Sequence, residues 1–458
     1  SRAWHWRACA NAWAARDNSP LAMVAPSAEV TVAAVLEELR RLGRVSPSGD
    51  KQALARAFSL LSSGDVSIRC AALRAVGAVA ERGDEESIGE VARCLEDDEE
   101  FVRRAAVDEL AHLAEEGCTT ALNAIVPRLK HDDWHVREAA VRAMAHVGDH
   151  NDSRVIWTLA RCFPDPELHV RQVAMEELLH FANRGDEQAV AAISEQMHHK
   201  EWCVRHIAMR AMVKIADKGD EKAVAAVAEH LEDIFPDARY CAVQAMAQVA
   251  DKTSDQAIRG VASCLEDVEL AIRDAALEAL AQVAEEGDER AINAVAARFE
   301  HHEPEVRAAA LEAMSRVAKV GDPQAITACI ARFDSFWPET REIALKALLR
   351  MSHRGDTTAV ASVGERLLNR RAEVREIALR ALLQVANAND GQGLAEVLRG
   401  LHHHRPDVRI HSLHALPKVA ERGNGLACRG IADCLDDEDV KVQTAAEEVK
   451  AQLYPEEQ

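Results

Sequence analysis

An arginine that recurs every 34 residues constrains the fold of this chain more than any other feature. The spacing holds without insertion or deletion from residue 69 to residue 409. An alanine stands three residues later in ten of the eleven repeats, and Ser412 takes that place in the last. The repeated arginines are Arg69, Arg103, Arg137, Arg171, Arg205, Arg239, Arg273, Arg307, Arg341, Arg375 and Arg409. The chain is therefore predicted to consist of stacked copies of one structural unit.

Each period is predicted to form two helices. In residues 65–98, apolar residues recur at helical spacing from Ile68 to Val79 and again from Ile88 to Leu95. One helix pair leaves an apolar stripe that it cannot bury alone, whereas neighbouring pairs can cover it for one another. The pattern therefore predicts an all-α solenoid.

Glycine and aspartate mark the turn between the two helices. Gly83 stands where the first helix should end, because glycine adopts the left-handed backbone of a helix C-terminus easily. Asp84 follows, where a carboxylate can cap the second helix. The first column reads Gly83, Gly117, Asn151, Gly185, Gly219, Thr253, Gly287, Gly321, Gly355, Asn389 and Gly423. Aspartates in the second column are Asp84, Asp152, Asp186, Asp220, Asp288, Asp322, Asp356 and Asp390.

The combined pattern is Asp-x-x-Val-Arg-x-x-Ala-Ala-x-x-Leu, then Gly-Asp, then a short apolar helix. It resembles the HEAT-like repeats of the phycobilisome-lyase type. Residues 137–144 (Arg-Glu-Ala-Ala-Val-Arg-Ala-Met) and 307–314 (Arg-Ala-Ala-Ala-Leu-Glu-Ala-Met) show it best. The resemblance covers residues 27–454. It implies a HEAT-like solenoid and a function among scaffolds, chromophore lyases or one hydroxylase family, all of which contain such repeats.

The repeat and the resemblance together predict a right-handed α-solenoid of about twelve helix pairs plus a C-terminal capping helix. Residues 27–64 are expected to form an N-terminal pair, and residues 65–438 eleven repeats. Residues 439–458 are expected to form the capping helix and a tail, because Lys450 replaces a core residue there. Residues 1–26 precede the register and are interpreted as a tryptophan-containing extension or linker.

The arginine column needs acidic partners, because a cation near a helix N-terminus meets an unfavourable dipole. Acidic residues stand four positions earlier in many repeats: Asp65, Glu99, Asp133, Glu167, Glu201, Glu269, Glu303 and Asp439. We predict a structural ladder in which the arginine fork binds such carboxylates within or between repeats. The alternative is a row of substrate-binding arginines.

Charge and cysteine content exclude several classes of function. Lys+Arg number 55 against 76 Asp+Glu, and the net charge of −21 opposes general nucleic-acid binding. No apolar run approaches the ~18 residues of a transmembrane segment. The eleven cysteines never occur as Cys-x-x-Cys, so disulfide and zinc scaffolds are not expected. Free thiols favour a reducing compartment: the cytoplasm, or an organelle stroma or matrix if Ser1 follows a cleaved targeting peptide.

No catalytic, metal or cofactor site is predicted. The hydroxylase family holds two irons with His-Glu pairs directly after the repeated arginine, but here His206 is followed by Ile207. Most other histidines are expected to be solvated loop residues. The histidines between His402 and His414 have two interpretations. They bind a metal ion, or they make this repeat more polar and less stable than the others. Half-buried structural thiols are expected at Cys94, Cys162, Cys264 and Cys434.

Two groups of tryptophans are candidate binding residues. The first group is Trp4, Trp6 and Trp13 of the N-terminal extension. Three interpretations of this extension stay open: it packs on the first helices, it is the remnant of a transit segment, or it anchors a partner through its tryptophans. Trp157 stands in a second-helix column that is otherwise small or polar, and Arg154 and Arg161 share its face at i, i+3 and i+7. We interpret these three residues as a contact ridge on the concave side. The alternative is that Trp157 folds over its neighbours.

The remaining aromatic residues are interpreted as packing residues: Trp134 and Trp202 between repeats, and Phe235 and Trp337 within loops. For Phe235 and Trp337 the alternative is a binding spot. A column of small residues on the second helices is expected to be exposed, as a floor for a docked segment. It comprises Ala124, Thr158, Ala192, Ala226, Gly260, Ala294, Ala328 and Ser362.

These features predict a non-enzymatic interaction scaffold, an adaptor or a peripheral subunit of a larger assembly. Its partners would be proteins, including a basic segment that the acidic surface attracts. The alternative function is a lyase or chaperone-like factor for a chromophore-bearing light-harvesting protein, which the repeat type alone suggests.

Overall fold

The structure is a computed structural model that describes residues 29–115, 117–150, 152–387 and 391–454. These residues form 25 α-helices and no β-strand. The helices belong to two compact units, one ending at Asp152 and the other beginning at Ser153. The all-α solenoid predicted from the repeat is confirmed.

The described part of the first unit consists of seven helices. They are α1 (Glu29–Val45), α2 (Lys51–Leu60), α3 (Val66–Val79), α4 (Glu85–Arg93), α5 (Glu100–Leu113), α6 (Thr119–Ile125) and α7 (Trp134–Val147). Odd-numbered helices are the first of each pair and even-numbered helices the second. Short 3-10 turns, Cys94–Glu96 and Val126–Lys130, extend α4 and α6.

The second unit continues the same alternation. Its described helices are α8 (Ser153–Ala160), α9 (Leu168–Phe181), α10 (Glu187–Met197), α11 (Trp202–Ile215), α12 (Glu221–Ala228), α13 (Pro236–Val249), α14 (Asp255–Ser263), α15 (Leu270–Val283), α16 (Glu289–Ala297), α17 (Pro304–Val317), α18 (Pro323–Ala331), α19 (Pro338–Met351), α20 (Thr357–Leu367), α21 (Ala372–Val385), α22 (Gln392–Leu401), α23 (Pro406–Val419), α24 (Gly425–Leu435) and α25 (Val440–Leu453). Within each unit, first helices pack on first helices and second helices on second helices.

The turn within each pair also joins it to the next pair. Gly219 adopts a φ of 88°, which only glycine does without strain, and its N–H donates to the Val249 carbonyl of the following repeat at 2.7 Å. Asp220 then caps α12 by accepting the backbone N–H of Ala223 at 3.0 Å. The same glycine geometry recurs along the chain. The predicted roles of both columns are thereby confirmed at these positions.

Small side chains let the helices approach closely. Ala276 has no exposed surface in α15, and its equivalents in the other repeats are equally buried. Large side chains fill the space at the ends of the second helices, where Phe163, Phe299 and Phe333 are fully buried. Within each unit, the core therefore combines buried alanines at the helix crossings with large side chains at the ends of second helices.

Candidate protein interface

The ridge predicted from sequence lies on α8, the first helix of the second unit. Val155, Ile156, Leu159 and Ala160 bury one face of this helix. The opposite face carries Arg154 and Trp157. Arg161 follows one helical turn after Trp157, and the Arg161 N–H donates to the Trp157 carbonyl at 3.1 Å. Both arginines are exposed and the tryptophan is half-buried.

These side chains line an open cleft of about 490 Å³. Ser153 and Thr158 line it from the same helix, and Glu195 of α10 lies across from them. The Thr158 hydroxyl donates to the Arg154 carbonyl at 2.6 Å, which turns it away from the cleft. The cleft therefore presents an indole beside two guanidinium groups, with one carboxylate opposite.

Two of these groups have no protein partner within the described part of the chain. No carboxylate there lies within 4.0 Å of the Arg161 guanidinium, and the Trp157 indole N–H makes no hydrogen bond. A flat aromatic face with an unused donor beside a cation suits a carbonyl- or carboxylate-bearing protein segment.

The repeated arginines point inward. Arg205 donates through Nη1 to the carbonyls of His199 and Lys200 at 2.9 and 3.1 Å. Its Nε and Nη2 each lie 2.8 Å from an oxygen of Asp233. Asp233 stands 28 residues later, in the next repeat. Equivalent pairs are Arg69 with Asp97, Arg239 with Asp267 and Arg409 with Asp437.

The sequence pattern predicted that the column arginines bind the acidic residues four positions before them, and this prediction was wrong. Glu201, four residues before Arg205, makes no ion pair with it, and the aspartate of the next repeat takes that role. The reason is geometric: the guanidinium already reaches back over the loop carbonyls, so its remaining N–H groups face the neighbouring repeat. Among the described residues, the N–H groups of these arginines bind protein atoms. This argues against the alternative in which the arginines bind a substrate.

Histidine replaces the ladder aspartate in four repeats: His131, His199, His301 and His403. In each, ring Nδ1 accepts the backbone N–H two residues later at 3.1–3.2 Å. Asp233 makes the same bond to Phe235. These histidines therefore shape the turn before the next helix, and the expectation of merely solvated side chains was wrong for them.

Thiols and histidines form no reactive cluster among the described residues. Burial raises the pKa of Cys94, Cys162 and Cys264 to about 12, so these thiols stay protonated. No group of three or more described His, Cys, Asp or Glu side chains could hold a metal ion. His411 is half-buried, and its partial burial and the Arg375 charge lower its pKa.

Two sequence interpretations of the surface need correction. The small-residue column does not form an exposed floor: Ala192, Ala226 and Ala328 are buried between successive second helices. A Cβ at Gly260 would lie 2.6 Å from Leu231 Cδ1, just beyond the end of the preceding second helix, α12. Phe235, Trp337 and Trp202 are exposed, although the Trp337 ring meets the neighbouring Phe336 ring edge-on at 5.5 Å within its loop. Trp4, Trp6 and Trp13 lie outside the described residues.

A family model for HEAT repeats matches residues 94–179, 226–315 and 258–349. No curated protein matches the chain. The chain is similar in structure to an engineered protein at 16% identity and a TM-score of 0.29, over 87% of this chain and 98% of that one. It is also similar to the karyopherin Kap121p at 13% identity and a TM-score of 0.42, over 93% of this chain and 54% of that one.

A third similar structure, from microtubule polymerases with arrays of Tumor Overexpressed Gene domains, shows 14% identity and a TM-score of 0.32, over 93% of this chain and 92% of that one. The chain spans about half the length of Kap121p. The family model supports HEAT repeats in the residues that it matches, whereas nothing in these comparisons supports the phycobilisome-lyase type in particular. Within the described residues, every helix is too short or too polar to cross a membrane.

Proposed function

We propose that this protein is a non-enzymatic interaction scaffold, an adaptor or peripheral subunit of a larger assembly, and that the ridge of Arg154, Trp157 and Arg161 is one of its docking points. One observation carries the proposal: a large aromatic side chain stands, with an unused indole N–H, in a column where the fold needs only small or polar residues. Packing therefore does not explain Trp157, whereas a partner would.

The chemistry of the ridge selects the partner. Trp157 offers apolar area and Arg161 an unpaired cation, so the docked segment should combine an apolar side chain with carboxylates. The N-terminal extension with Trp4, Trp6 and Trp13 would add a second anchor. Tryptophan and arginine are the residues that most often dominate binding energy at interfaces.

Site-specific photo-crosslinking tests the proposal. A photoreactive phenylalanine analogue at position 157 should capture a discrete partner from the native extract, and Trp157→Ala should weaken its capture. The matched control places the same analogue at Asn293, which occupies the same column four repeats later and is exposed. Equal crosslinking at both positions, or full capture by Trp157→Ala with an unchanged melting temperature, would exclude the ridge.

A lyase or chaperone for a chromophore-bearing protein is the second candidate. It rests on the pattern in residues 137–144 and 307–314 alone. Mixing the purified protein with free bilin and recording visible absorbance separates the two functions. A shifted, saturable band and transfer to an apo client would favour the lyase, and an unchanged spectrum would favour the scaffold.

A further inference from the structure

Large apolar side chains are exposed at the same edge of four successive repeats. They stand where a second helix turns into the next first helix: Leu168, Trp202, Ile234, Phe235, Val268 and Leu270, named here the apolar loop edge. Ile234 is 84% exposed, Val268 78% and Leu270 62%. A contiguous set of such residues on a soluble surface marks an interaction site more often than scattered single ones do.

The fold does not require these residues to be apolar. The positions equivalent to Ile234 hold Asp98 and Asp132 in the first unit, with the same turn and the same helix start. Because aspartates occupy the equivalent positions in the same turn, the turn does not need the apolar side chains at 234 and 268 in order to form. Their presence calls for an explanation outside the fold.

The aromatic members are held in place by neighbouring cationic and imidazole side chains. The Arg205 guanidinium lies 5.5 Å from the centre of the Phe235 ring, and the Trp202 ring stacks on His206 at 6.0 Å. Asp233 fixes the Phe235 backbone by accepting its N–H at 2.9 Å. The edge is therefore pre-organised, which lowers the entropy lost on binding.

Carboxylates without counterions surround the edge. Glu201, Asp237 and Glu269 are exposed, and no Lys or Arg of the described chain lies within 4.0 Å of them. The ladder arginines Arg205 and Arg239 form their ion pairs with Asp233 and Asp267 instead. Residues 164–170, 198–203, 232–237 and 266–271 contribute a single Lys or Arg, Lys200.

We propose that the apolar loop edge docks an extended protein segment in which lysine or arginine alternates with large apolar side chains. Apolar partners would cover Ile234, Val268 and Leu270, and cations would pair with the carboxylates between them. Four stacked repeats at ~10 Å each span about 30 Å, which an extended segment of roughly nine residues matches. This site is separate from the ridge on α8 and goes beyond the function proposed for it.

Fluorescence anisotropy with a labelled ten-residue peptide of alternating leucine and lysine tests the inference on the full chain. The double variant Ile234→Ser, Val268→Ser should bind at least tenfold more weakly than the wild type. The matched control is Val45→Ser, Val320→Ser, which removes two equally exposed valines elsewhere (75% and 64%) and should bind normally. Equal binding by both double variants would overturn the proposal.

Two further measurements separate apolar from purely electrostatic binding. A lysine–serine peptide and a leucine–glutamate peptide should both bind at least tenfold more weakly than the leucine–lysine peptide. Glu201→Gln, Glu269→Gln, which leaves the apolar side chains in place, should also weaken binding, so the test does not rest on one variant. Tight binding of the lysine–serine peptide would show a charge effect only and overturn the docking site.

The same assay distinguishes other occupants and the ridge. Trp157→Ala should leave peptide binding unchanged. The proposal for the ridge and the proposal for the apolar loop edge can therefore be disproved independently. If deletion of residues 1–26 tightened peptide binding, the chain's own arginine- and tryptophan-containing extension would be the occupant. Concentration-dependent self-association that the Ile234→Ser, Val268→Ser variant abolished would point to a second copy. Either result would replace the external partner.

Discussion

At the scale of single residues, this protein depends on which atoms each repeated side chain reaches. The column alanine is invariant over ten repeats because any methyl group beyond Cβ would enter a helix crossing. The column arginine is repeated because its planar fork reaches back to a loop carbonyl and, where the next repeat supplies an aspartate, also binds that carboxylate through two N–H groups, as Arg239 does. Lysine lacks the flat, two-pronged donor geometry that this carboxylate contact uses.

Ala276→Leu should destabilise the protein by about 1–3 kcal/mol, because three additional carbons must enter a fully buried crossing. The urea midpoint of unfolding measures the effect. Ala271→Leu lies on the exposed face of the same helix and serves as the control with little expected change. An unchanged midpoint for Ala276→Leu would mean that this column is not a close-contact seam.

Asp267→Asn should destabilise the protein by roughly 3 kcal/mol at neutral pH, because it leaves the buried Arg239 guanidinium without its carboxylate. Asparagine keeps the oxygen that accepts the Glu269 N–H, so the turn itself should persist. The free energy of unfolding, measured for Asp267→Asn and for the double variant with Arg239→Met, isolates the pair. A single-variant loss below ~0.5 kcal/mol would contradict a ladder role.

Acidification should reveal the same pair. Burial alone would raise the pKa of Asp267, but the Arg239 hydrogen bond and charge and the Glu269 N–H outweigh it and lower that pKa below 3.8. A lowered folded-state pKa gives stability that is present above the unfolded value and lost as pH falls through the folded value. Wild type should therefore lose more stability than Asp267→Asn below about pH 4.

At the scale of elements, most of the described helices begin with a side-chain cap or a proline, and several helix pairs turn at a glycine that the next repeat holds. Asp186 caps α10 by accepting the N–H groups of Gln188 and Ala189 at 2.8 and 3.0 Å. Gly185 before it donates its N–H to the Ile215 carbonyl of α11. Two adjacent residues therefore have different roles: Asp186 caps its own helix, and Gly185 bonds to the next repeat.

Asp186→Ala should lower stability by about 1 kcal/mol, because two N–H groups at the start of α10 lose their acceptor. Asp186→Asn keeps an oxygen in place and should retain most of the stability. Thermal unfolding of the three proteins gives the comparison. Identical melting of wild type and Asp186→Ala would show that water replaces the cap at no cost.

At the scale of the whole molecule, modularity and charge decide behaviour. Each repeat depends mainly on its neighbours, so removal of a segment outside the register should not unfold the rest. The net charge of −21 acts over a distance that salt sets, about 10 Å at 0.1 M and about 3 Å at 1 M. Binding surfaces and stability can therefore be altered separately.

Deletion of residues 1–26 should leave helical content and the melting temperature nearly unchanged, because the repeat register begins after them. Capture of the partner identified by crosslinking should weaken, because three tryptophans are lost. Circular dichroism beside a binding assay checks both statements. Unfolding of the shortened chain would instead make the extension a structural cap.

Association of a basic partner should slow as salt is raised. A stopped-flow association rate for the leucine–lysine peptide should fall at least tenfold between low and near-molar salt, because the negative field steers the cationic peptide. An uncharged peptide of the same length controls for changes in solvent. A rate constant independent of salt would show that the net charge has no steering role.

The sequence by itself determined the solenoid, because every local signal repeats in register: helical apolar spacing, the glycine turn, the aspartate cap and the buried alanine. Gly219, Asp220 and Ala276 each act within or next to their own helix, so period and residue type were enough to predict them. Trp157 was singled out as a candidate because it breaks a regular column of small or polar residues.

Only the tertiary structure decided which surfaces face a neighbour and which face water. The partner of Arg205 is Asp233, 28 residues away, and no local pattern ranks it above Glu201. The small-residue column proved to be an inter-helix seam, and Ile234 with Val268 proved to be exposed. The physical reason is that burial depends on how successive repeats stack, and the repeat period fixes their order along the chain but not the distance and angle between them.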